Sequence, residues 1–193
     1  MNEFTEIQKV GLLFADLPCQ WFVGGGWAID LFLDRVTRRH KDIDVAIARN
    51  DQFAVRDYLW HRGWKLEKAV DGELFPWTYG ERLVLPIHTV WCSNDEYEPS
   101  FIEILLNEID GDCFKFRRDQ SITLPRERMF FKSSTGALAL SPEIVLLYKS
   151  NCPEENAADF QNAFKMLPEE NRVWLKASLD KLFAQKHPWT DDL

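Results

Sequence analysis

Three consecutive glycines, Gly24–Gly26, constrain the fold of this chain more than any other feature. They follow a short apolar run, Trp21–Val23, and precede a segment, Trp27–Leu33, whose pattern predicts a helix. Glycine permits positive backbone torsions and the close approach of other groups, so the segment predicts a buried strand, a tight turn and a helix. Exposed backbone N–H groups at such a turn, together with the helix N-terminus, suit a phosphate group.

A pair of acidic residues follows at Asp42 and Asp44, which alternate with apolar Ile43 and Val45. The alternation predicts a strand over Asp42–Ala48, on which both aspartates point to the same side, about 7 Å apart at the backbone. Two ionised carboxylates so close repel each other, and a divalent cation removes that cost. Because Mg²⁺ is commonly held by one or two carboxylates plus substrate phosphates, we predict a magnesium site at this pair, beside the glycine turn.

A third carboxylate is expected at Glu103, the one acidic residue in the apolar run Ser100–Leu105. An unpaired charge in such a run is costly, so this side chain must face solvent, a cation or a metal. We predict that Glu103 completes the metal site or accepts a proton during catalysis; a solvated or salt-bridged residue at a sheet edge is the alternative. Weaker candidates for this role, in more polar segments, are Asp95, Glu96, Glu98 and Glu108.

Two basic residues are candidates for contacts with phosphate. Arg38 lies just before the acidic pair, where it belongs either to a surface turn or to a phosphate-binding loop. Lys149 follows the apolar helical stretch Ile144–Tyr148 and either extends to solvent or reaches into a cleft. Asp159 is a candidate partner for Lys149 or for a cationic substrate.

The remaining patterns predict an α/β (α+β) fold, with a mixed β-sheet flanked by helices and a helical C-terminal part. We divide the chain into a core, residues 1–140, and a helical region, residues 141–193. The predicted helices are Glu3–Leu17, Asp51–Gly63, Pro142–Ser150, Glu155–Leu167 and Glu169–Gln185, and the further predicted strands are Trp64–Lys68, Leu83–Cys92 and Phe101–Leu106.

Composition excludes several classes of protein. The formal net charge of −8 disfavours a broad nucleic-acid-binding surface, because an acidic surface repels phosphate backbones. The apolar runs fall short of the ~20 residues that a membrane helix needs, and we expect a cytoplasmic protein. The four cysteines form no CxxC pair and match neither a zinc site nor a dense disulfide framework, so we expect reduced thiols.

The order of these motifs resembles the nucleotidyltransferase superfamily of the DNA polymerase beta type. More narrowly, the chain is similar to the aminoglycoside and lincosamide adenylyltransferases over most of its length, from about Trp21 to Trp189. The segments that carry this narrower resemblance are Gly25–Asp30, Thr37–Asp44, Phe116–Asp119, Pro142–Lys149 and Ala158–Phe160.

The resemblance implies that Asp42 and Asp44 bind Mg²⁺, that Gly25 and Gly26 lie near the nucleotide phosphates, and that the C-terminal helices help to form an acceptor pocket. It implies transfer of a nucleoside monophosphate from a nucleoside triphosphate, with ATP expected, to a hydroxyl of a small acceptor. From the resemblance we expect an aminoglycoside- or lincosamide-like acceptor, and therefore a role in antibiotic resistance. We expect a monomer or a dimer.

Two other functions remain open at this stage. The first is nucleotidyl transfer to a macromolecule, such as a transfer RNA or a protein partner in a toxin–antitoxin pair. The overall negative charge argues against RNA. An inactive nucleotide-binding module of the same fold is the other. The presence of both Asp42 and Asp44, with a candidate third carboxylate, argues against the loss of activity.

Overall fold

The fold is a mixed sheet flanked by helices, seen in a computed structural model that describes residues 3–193. Among these residues the helices are α1 Thr5–Leu13, α2 Gly25–Leu33, α3 Gln52–Trp60, α4 Pro142–Lys149, α5 Ala157–Ala163 and α6 Glu169–Leu182. The strands are β1 Trp21–Val23, β2 Asp44–Ala48, β3 Lys65–Val70, β4 Glu73–Pro76, β5 Thr89–Ser93, β6 Phe101–Asp110, β7 Cys113–Lys115, β8 Thr123–Pro125, β9 Phe130–Lys132 and β10 Leu138–Leu140.

The strands follow the order β4-β3-β5-β6-β2-β1-β10-β9, and β7 and β8 continue from the far half of β6. The pairs β2–β6 and β1–β10 are parallel, and the other pairs along this order are antiparallel. The predicted α/β class, with a mixed sheet flanked by helices and a helical C-terminal part, is therefore confirmed. The central strands β2 and β6 are apolar on one face, where Val45, Ile47, Ile102 and Ile104 are buried.

The glycine segment folds as predicted, with small shifts of its boundaries. Strand β1 has the predicted limits, while α2 begins at Gly25 rather than at Trp27, because the Gly24 carbonyl already accepts the Ala28 N–H at 3.0 Å. Strand β2 begins at Asp44 rather than at Asp42, since the Asp42 carbonyl accepts the indole N–H of Trp27 at 3.2 Å instead of joining the sheet. The first helix is shorter at both ends than the predicted Glu3–Leu17.

Other elements differ from the prediction because of tertiary contacts. The predicted strand Leu83–Cys92 is a strand only from Thr89 onward, since the Leu83 backbone N–H and C=O both bond to the side chain of Gln52. The short strands β4 and β7–β10 were not predicted. Most contain only three residues, too few for a clear alternating pattern.

The C-terminal helices pack onto the core through aromatic side chains. Phe160 on α5 stacks between Phe164 and Trp189, with ring centroids 5.0 and 4.4 Å away, and the His187 imidazole bonds to the Ser150 carbonyl at 2.9 Å. Buried apolar residues of the core and of α4–α6 belong to one continuous cluster. The proposed division between residues 140 and 141 lies where β10 ends and α4 is about to begin; residues 1 and 2 of the proposed core lie outside the described residues.

Two further findings concern the cysteines and the helices. All four cysteines are free thiols, with Cys92 buried and Cys152 exposed. Within residues 3–193, none of the helices combines the length and the apolar character that crossing a membrane requires.

The bonds from Gln52 to Leu83 yield a test of what fixes the loop before β5. Gln52 is fully buried, and Gln52→Leu keeps the volume while leaving the Leu83 N–H and C=O without these partners. We expect the free energy of unfolding to fall by about 1–3 kcal/mol, the cost of an unsatisfied buried polar group. Urea denaturation measures it, and Gln8→Leu on the exposed side of α1 is the control. Equal stabilities of the two variants would contradict this account.

Candidate active site

The glycine turn lies directly against the Asp44 side chain. Gly24 donates its N–H to the Asp44 carbonyl at 2.8 Å, and this bond joins the turn to the start of β2. Gly25 has a φ of +53°, and a Cβ placed on it would lie 1.6 Å from Asp44 Oδ2. The torsion disfavours other residues and the contact leaves no room for a Cβ, so the position strongly favours glycine.

Gly26 makes room for a different group. A Cβ at Gly26 would lie 2.3 Å from Arg38 Nη2 and 2.7 Å from His40 Cε1. The first turn of α2 is therefore covered on one side by the Asp44 carboxyl and on the other by the loop that carries Arg38. The predicted contact of Gly25 and Gly26 with phosphates stays a prediction.

The three predicted carboxylates gather at the start of β2 and β6. In the parallel register Asp44 lies opposite Glu103, and the two carboxyls are close enough to influence each other's pKa. Asp42 is exposed two residues earlier, and Asp44 is partly buried. Burial, followed by the charges of Glu103 and Asp42, raises the pKa of Asp44 to about 7. Burial, followed by the charge of Asp42, likewise raises the pKa of Glu103, against hydrogen bonds with Asp44 and Trp91 that lower it.

The donor set fits a magnesium ion that is completed by a substrate. Among residues 3–193, no three His, Cys, Asp or Glu side chains are grouped so as to hold a metal ion by themselves. Mg²⁺ does not need such a cage, because one or two carboxylates suffice when phosphates and water fill the other positions. Asp42 and Asp44 supply hard oxygen donors whose mutual repulsion a cation relieves. Glu103 lies opposite Asp44, and its role as a metal ligand stays a prediction.

The other candidates for the third carboxylate have different surroundings. Glu108 pairs with Arg49 at 2.5 Å, and Glu98 pairs with Lys9 at 3.0 Å. Asp95 and Glu96 lie exposed in the loop between β5 and β6. Glu103 is therefore the acidic residue of this set that faces Asp44.

The loop between α2 and β2 is anchored on a buried carboxylate. Asp30, only 1% exposed, accepts the Thr37 hydroxyl at 2.6 Å and bonds to the His40 imidazole at 2.5 Å. The His40 ring stacks on Trp27 with centroids 4.3 Å apart. These contacts fix the course of the chain from Arg38 to Asp42.

Arg38 and Lys149 meet at one buried acid, Asp159. The Arg38 guanidinium donates two bonds of 3.1 Å to the two carboxylate oxygens, and Lys149 Nζ lies 2.9 Å from Oδ2. Burial alone would raise the pKa of Asp159, but the hydrogen bonds from these two cations outweigh burial and lower it. Lys149 also donates to Asn156 Oδ1 at 2.9 Å. Asp159 therefore joins the loop after α2 to helices α4 and α5.

A cavity of about 270 Å³ opens between the sheet and α4. It brings together three of the predicted residues, Gly25, Asp44 and Lys149. Asp42 instead lines a neighbouring depression with Trp27 and Glu98, and Arg38 and Glu103 line neither space. The cavity lining also includes His88, Thr89, Leu105, Leu106, Asn107, Arg117, Arg118, Leu140, Val145 and Tyr148.

Among the polar residues of this cavity that sequence reasoning missed are His88 and Asn107. Asn107 lies four residues after Glu103 on β6 and therefore on the same face of the strand, which the alternating pattern would have indicated had the strand been predicted beyond Leu106. His88 carries no sequence signal, because it precedes β5 in a loop whose course depends on Gln52.

A protein-family model matches this chain. Residues 6–124, more than half of the chain, match the family model described as aminoglycoside-2''-adenylyltransferase. The chain belongs to this family.

Individual relatives match over shorter stretches. A 2''-aminoglycoside nucleotidyltransferase from Escherichia coli is 28% identical over 97 residues, 50% of this chain and 54% of that protein. One from Klebsiella pneumoniae is 31% identical over 77 residues, 40% of this chain and 42% of that protein. The matches thus span about half the length of these relatives or less.

Two solved structures share the fold over most of the chain. The crystal structure of ANT(2'')-Ia in complex with adenylyl-2''-tobramycin has a TM-score of 0.64 at 15% identity and covers 95% of this chain and 100% of that one. The crystal structure of the lincosamide antibiotic adenylyltransferase LnuA with bound lincomycin has a TM-score of 0.58 at 19% identity. This match covers 84% of this chain and 96% of that one. At such identities the likeness concerns the fold, which is that of nucleotidyltransferases.

The fit between Gly25 and Asp44 generates the first prediction about the site. Gly25→Ala introduces a Cβ at a positive φ and into the Asp44 carboxyl. We expect the free energy of unfolding to fall by roughly 1–3 kcal/mol, the usual cost of such a backbone conformation. Gly11→Ala is the matched control, because nothing lies within 4 Å of a Cβ there and alanine favours the helix. Urea denaturation compares the two; an unchanged Gly25→Ala would refute the steric argument.

The raised pKa of Asp44 predicts a stability that falls as the pH rises. Because the folded-state value of about 7 exceeds the ordinary value near 3.9, the stabilising contribution is complete below the ordinary pKa and is lost as the pH rises through about 7. Asp44→Asn stays neutral throughout. We expect its Tm at pH 8 in EDTA to exceed that of the wild type by at least about 2–4 °C, the shift for ~1 kcal/mol in a domain of this size.

The measurement is a series of melting curves from pH 4 to pH 8. The Tm difference between Asp44→Asn and the wild type should close towards pH 4. Asp180→Asn, at an exposed position of α6, is the control that removes one carboxylate elsewhere. A difference that grows at low pH, or one that Asp180→Asn reproduces, would argue against a protonated Asp44.

Proposed function

We propose that this chain is a magnesium-dependent nucleotidyltransferase that moves a nucleoside monophosphate from a nucleoside triphosphate, with ATP expected, to a hydroxyl of a small acceptor. The observation that carries the proposal is the meeting of the Gly25 turn, Asp44 and Glu103 at the start of β2 and β6. Family membership and the shared fold support it. An aminoglycoside- or lincosamide-like acceptor is proposed from the compounds that the relatives modify or bind.

Asp42 and Asp44 are the proposed ligands of Mg²⁺. When bound, the ion supplies charge neutralisation at the phosphoryl group during transfer. Asp42 reaches this position from the exposed end of its loop, where Trp27 holds its carbonyl and leaves the carboxylate available. Asp44 must be deprotonated to act as a ligand. The charge of Glu103 raises the pKa of Asp44 and so opposes deprotonation, whereas the charge of Lys149 lowers it.

The glycine turn and the cations near it are proposed to hold the phosphates. The N–H groups at the start of α2 lie at a helix N-terminus, where Gly25 and Gly26 let the Asp44 carboxyl and the Arg38 guanidinium approach the backbone closely. Arg38 and Lys149 stand at hydrogen-bonding distance from one carboxylate, so together with Asp159 they carry one net positive charge. That positive charge offsets the phosphates, and Asp159 holds both side chains in place.

Glu103 is proposed to accept the proton of the acceptor hydroxyl. As the acceptor oxygen forms a bond to the α-phosphorus, the bond from that phosphorus to the bridging oxygen of the β-phosphate breaks. Pyrophosphate leaves with the bonding electrons, and the hydroxyl proton goes to a Glu103 carboxylate oxygen. A raised pKa suits this role, because a general base works best when its pKa lies near the working pH.

The C-terminal region, residues 141–193, is proposed to contribute to the acceptor pocket. Val145, Tyr148 and Lys149 of α4 line the cavity that reaches Asp44. An acceptor between α4 and β6 would therefore be enclosed by both parts of the chain. A macromolecular acceptor has no comparable support, since the cavity is small and the net charge is −8.

The decisive experiment follows pyrophosphate release from labelled nucleoside triphosphates with Mg²⁺ and a panel of aminoglycosides and lincosamides. We expect Asp42→Asn and Asp44→Asn each to lower the turnover at least about a hundredfold, because several kcal/mol of charge stabilisation are lost. Asp180→Asn, exposed on α6, should keep the wild-type rate.

Each outcome decides between the candidate functions. Full turnover in either aspartate variant would overturn the metal-site assignment. Magnesium-dependent nucleotide binding by the wild type, without pyrophosphate release on any acceptor of the panel, would favour an inactive binding module. Release only with added transfer RNA or a protein would favour a macromolecular acceptor.

A further inference from the structure

The cavity between β6 and α4 has a basic end that the proposed chemistry leaves unused. Arg117 and Arg118 both line it, after β7 in the chain and at the opposite end from Asp44. In the parallel register Asp44 lies at the level of Glu103, and Asn107 lines the cavity four residues further along β6. At ~3.3 Å per residue, the cavity therefore extends about 13 Å along this strand.

Contacts with Tyr148 fix the two arginines at this end. The Tyr148 hydroxyl donates to Asn107 Oδ1 at 3.3 Å, the Arg117 guanidinium lies 4.5 Å from the Tyr148 ring centroid, and Arg118 Nη1 donates to the Tyr148 carbonyl at 3.0 Å. Arg117 also donates to His88 Nε2 at 2.9 Å, while His88 Nδ1 donates to the Pro86 carbonyl at 2.8 Å. His88 is thus held as the neutral tautomer that accepts from Arg117.

The charges at this end are not balanced by the protein. Within residues 3–193, neither Arg117 nor Arg118 forms an ion pair with a carboxylate, whereas Arg38, Lys149 and Arg49 all do. Partial burial and the charge of Arg117 lower the pKa of Arg118, and burial and the nearby arginines lower the pKa of His88. The Asp44 carboxyl is the single acidic group of the cavity lining, and it lies at the other end. An anion between the arginines would relieve their repulsion.

We propose that Arg117 and Arg118 form an anion site, which binds a phosphate or carboxylate group of a substrate whose reacting atom lies near Asp44. The guanidinium groups offer paired N–H donors that match the planar or tetrahedral oxygens of such groups. Two sources carry this chemistry: the terminal phosphates of the nucleotide, or an acidic substituent of the acceptor. The statement that this anion belongs to a substrate rests on the proposed function, whereas the presence of an anion site does not.

Inorganic phosphate is the first probe, titrated calorimetrically into the whole protein without nucleotide at constant ionic strength. We expect the wild type to bind it and the double variant Arg117→Gln/Arg118→Gln to bind at least about tenfold more weakly. Arg82→Gln is the matched control, because Arg82 is exposed and bonds only to Asn50 among the contacts described for it. Absence of phosphate binding by the wild type, or equal binding by the double variant, would overturn the site.

A second pair of measurements separates the two sources. If the nucleotide supplies the anion, the double variant should lose about tenfold in affinity for a magnesium-bound, non-hydrolysable nucleoside triphosphate and keep its affinity for the nucleoside. If the acceptor supplies it, triphosphate affinity should stay unchanged, and KM should rise for acceptors that carry a carboxylate or phosphate. A double variant that changes neither quantity would refute a substrate-binding role.

Folding of the variants is checked by circular dichroism, since Arg117 packs on Tyr148. If the double variant does not fold, Arg118→Gln alone serves the same test, because Arg118 has a largely exposed side chain and contacts Tyr148 through the backbone carbonyl. The phosphate titration does not require turnover. Intact phosphate binding without nucleotidyl transfer would therefore count against the proposed function, and transfer with unchanged kinetics in the folded variants would count against the anion site.

Discussion

The contact between the Gly25 backbone and the Asp44 carboxyl is the constraint on which the site depends. It is too close for any side chain at Gly25, and it sets the distance between the start of α2 and the start of β2. The hydrogen bond from Gly24 to the Asp44 carbonyl fixes the same two segments through the backbone. The N-terminus of α2 and the Asp44 carboxylate therefore face the same small volume. A phosphate bound there would need the helix N-terminus, and its cation would need the carboxylate.

Opposite charges are concentrated in separate places around this volume. Asp44 lies at one end of the cavity, with Glu103 opposite it in the parallel register. Arg117 and Arg118 lie at the other end and form no ion pair with a carboxylate within residues 3–193. Each group destabilises itself by the repulsion of like charges, and each is relieved by a ligand of the opposite sign. A site of this kind is less stable empty than occupied, which is a common property of binding sites for charged substrates.

Asp159 has the opposite character, because its charge is satisfied within the protein. It is buried and bonded to Arg38 and Lys149, from the loop after α2 and from the end of α4. Loss of these ion pairs would leave a buried carboxylate unpaired, which is strongly destabilising. The pairs therefore hold the C-terminal helices against the loop after α2, close to the place where phosphates are proposed to bind. The two parts of the chain thus form the cavity jointly.

The sequence alone determined the local features: the glycine turn, the spacing of Asp42 and Asp44, and the strand that carries Glu103. These follow from torsional limits and from the two-residue period of strands, which act over a few residues. Only the tertiary structure decided that Glu103 lies opposite Asp44, that Arg38 and Lys149 share Asp159, and that Arg117 and Arg118 border the same cavity. Strand register and helix packing depend on contacts between residues far apart in the chain, and no local pattern encodes which of them meet.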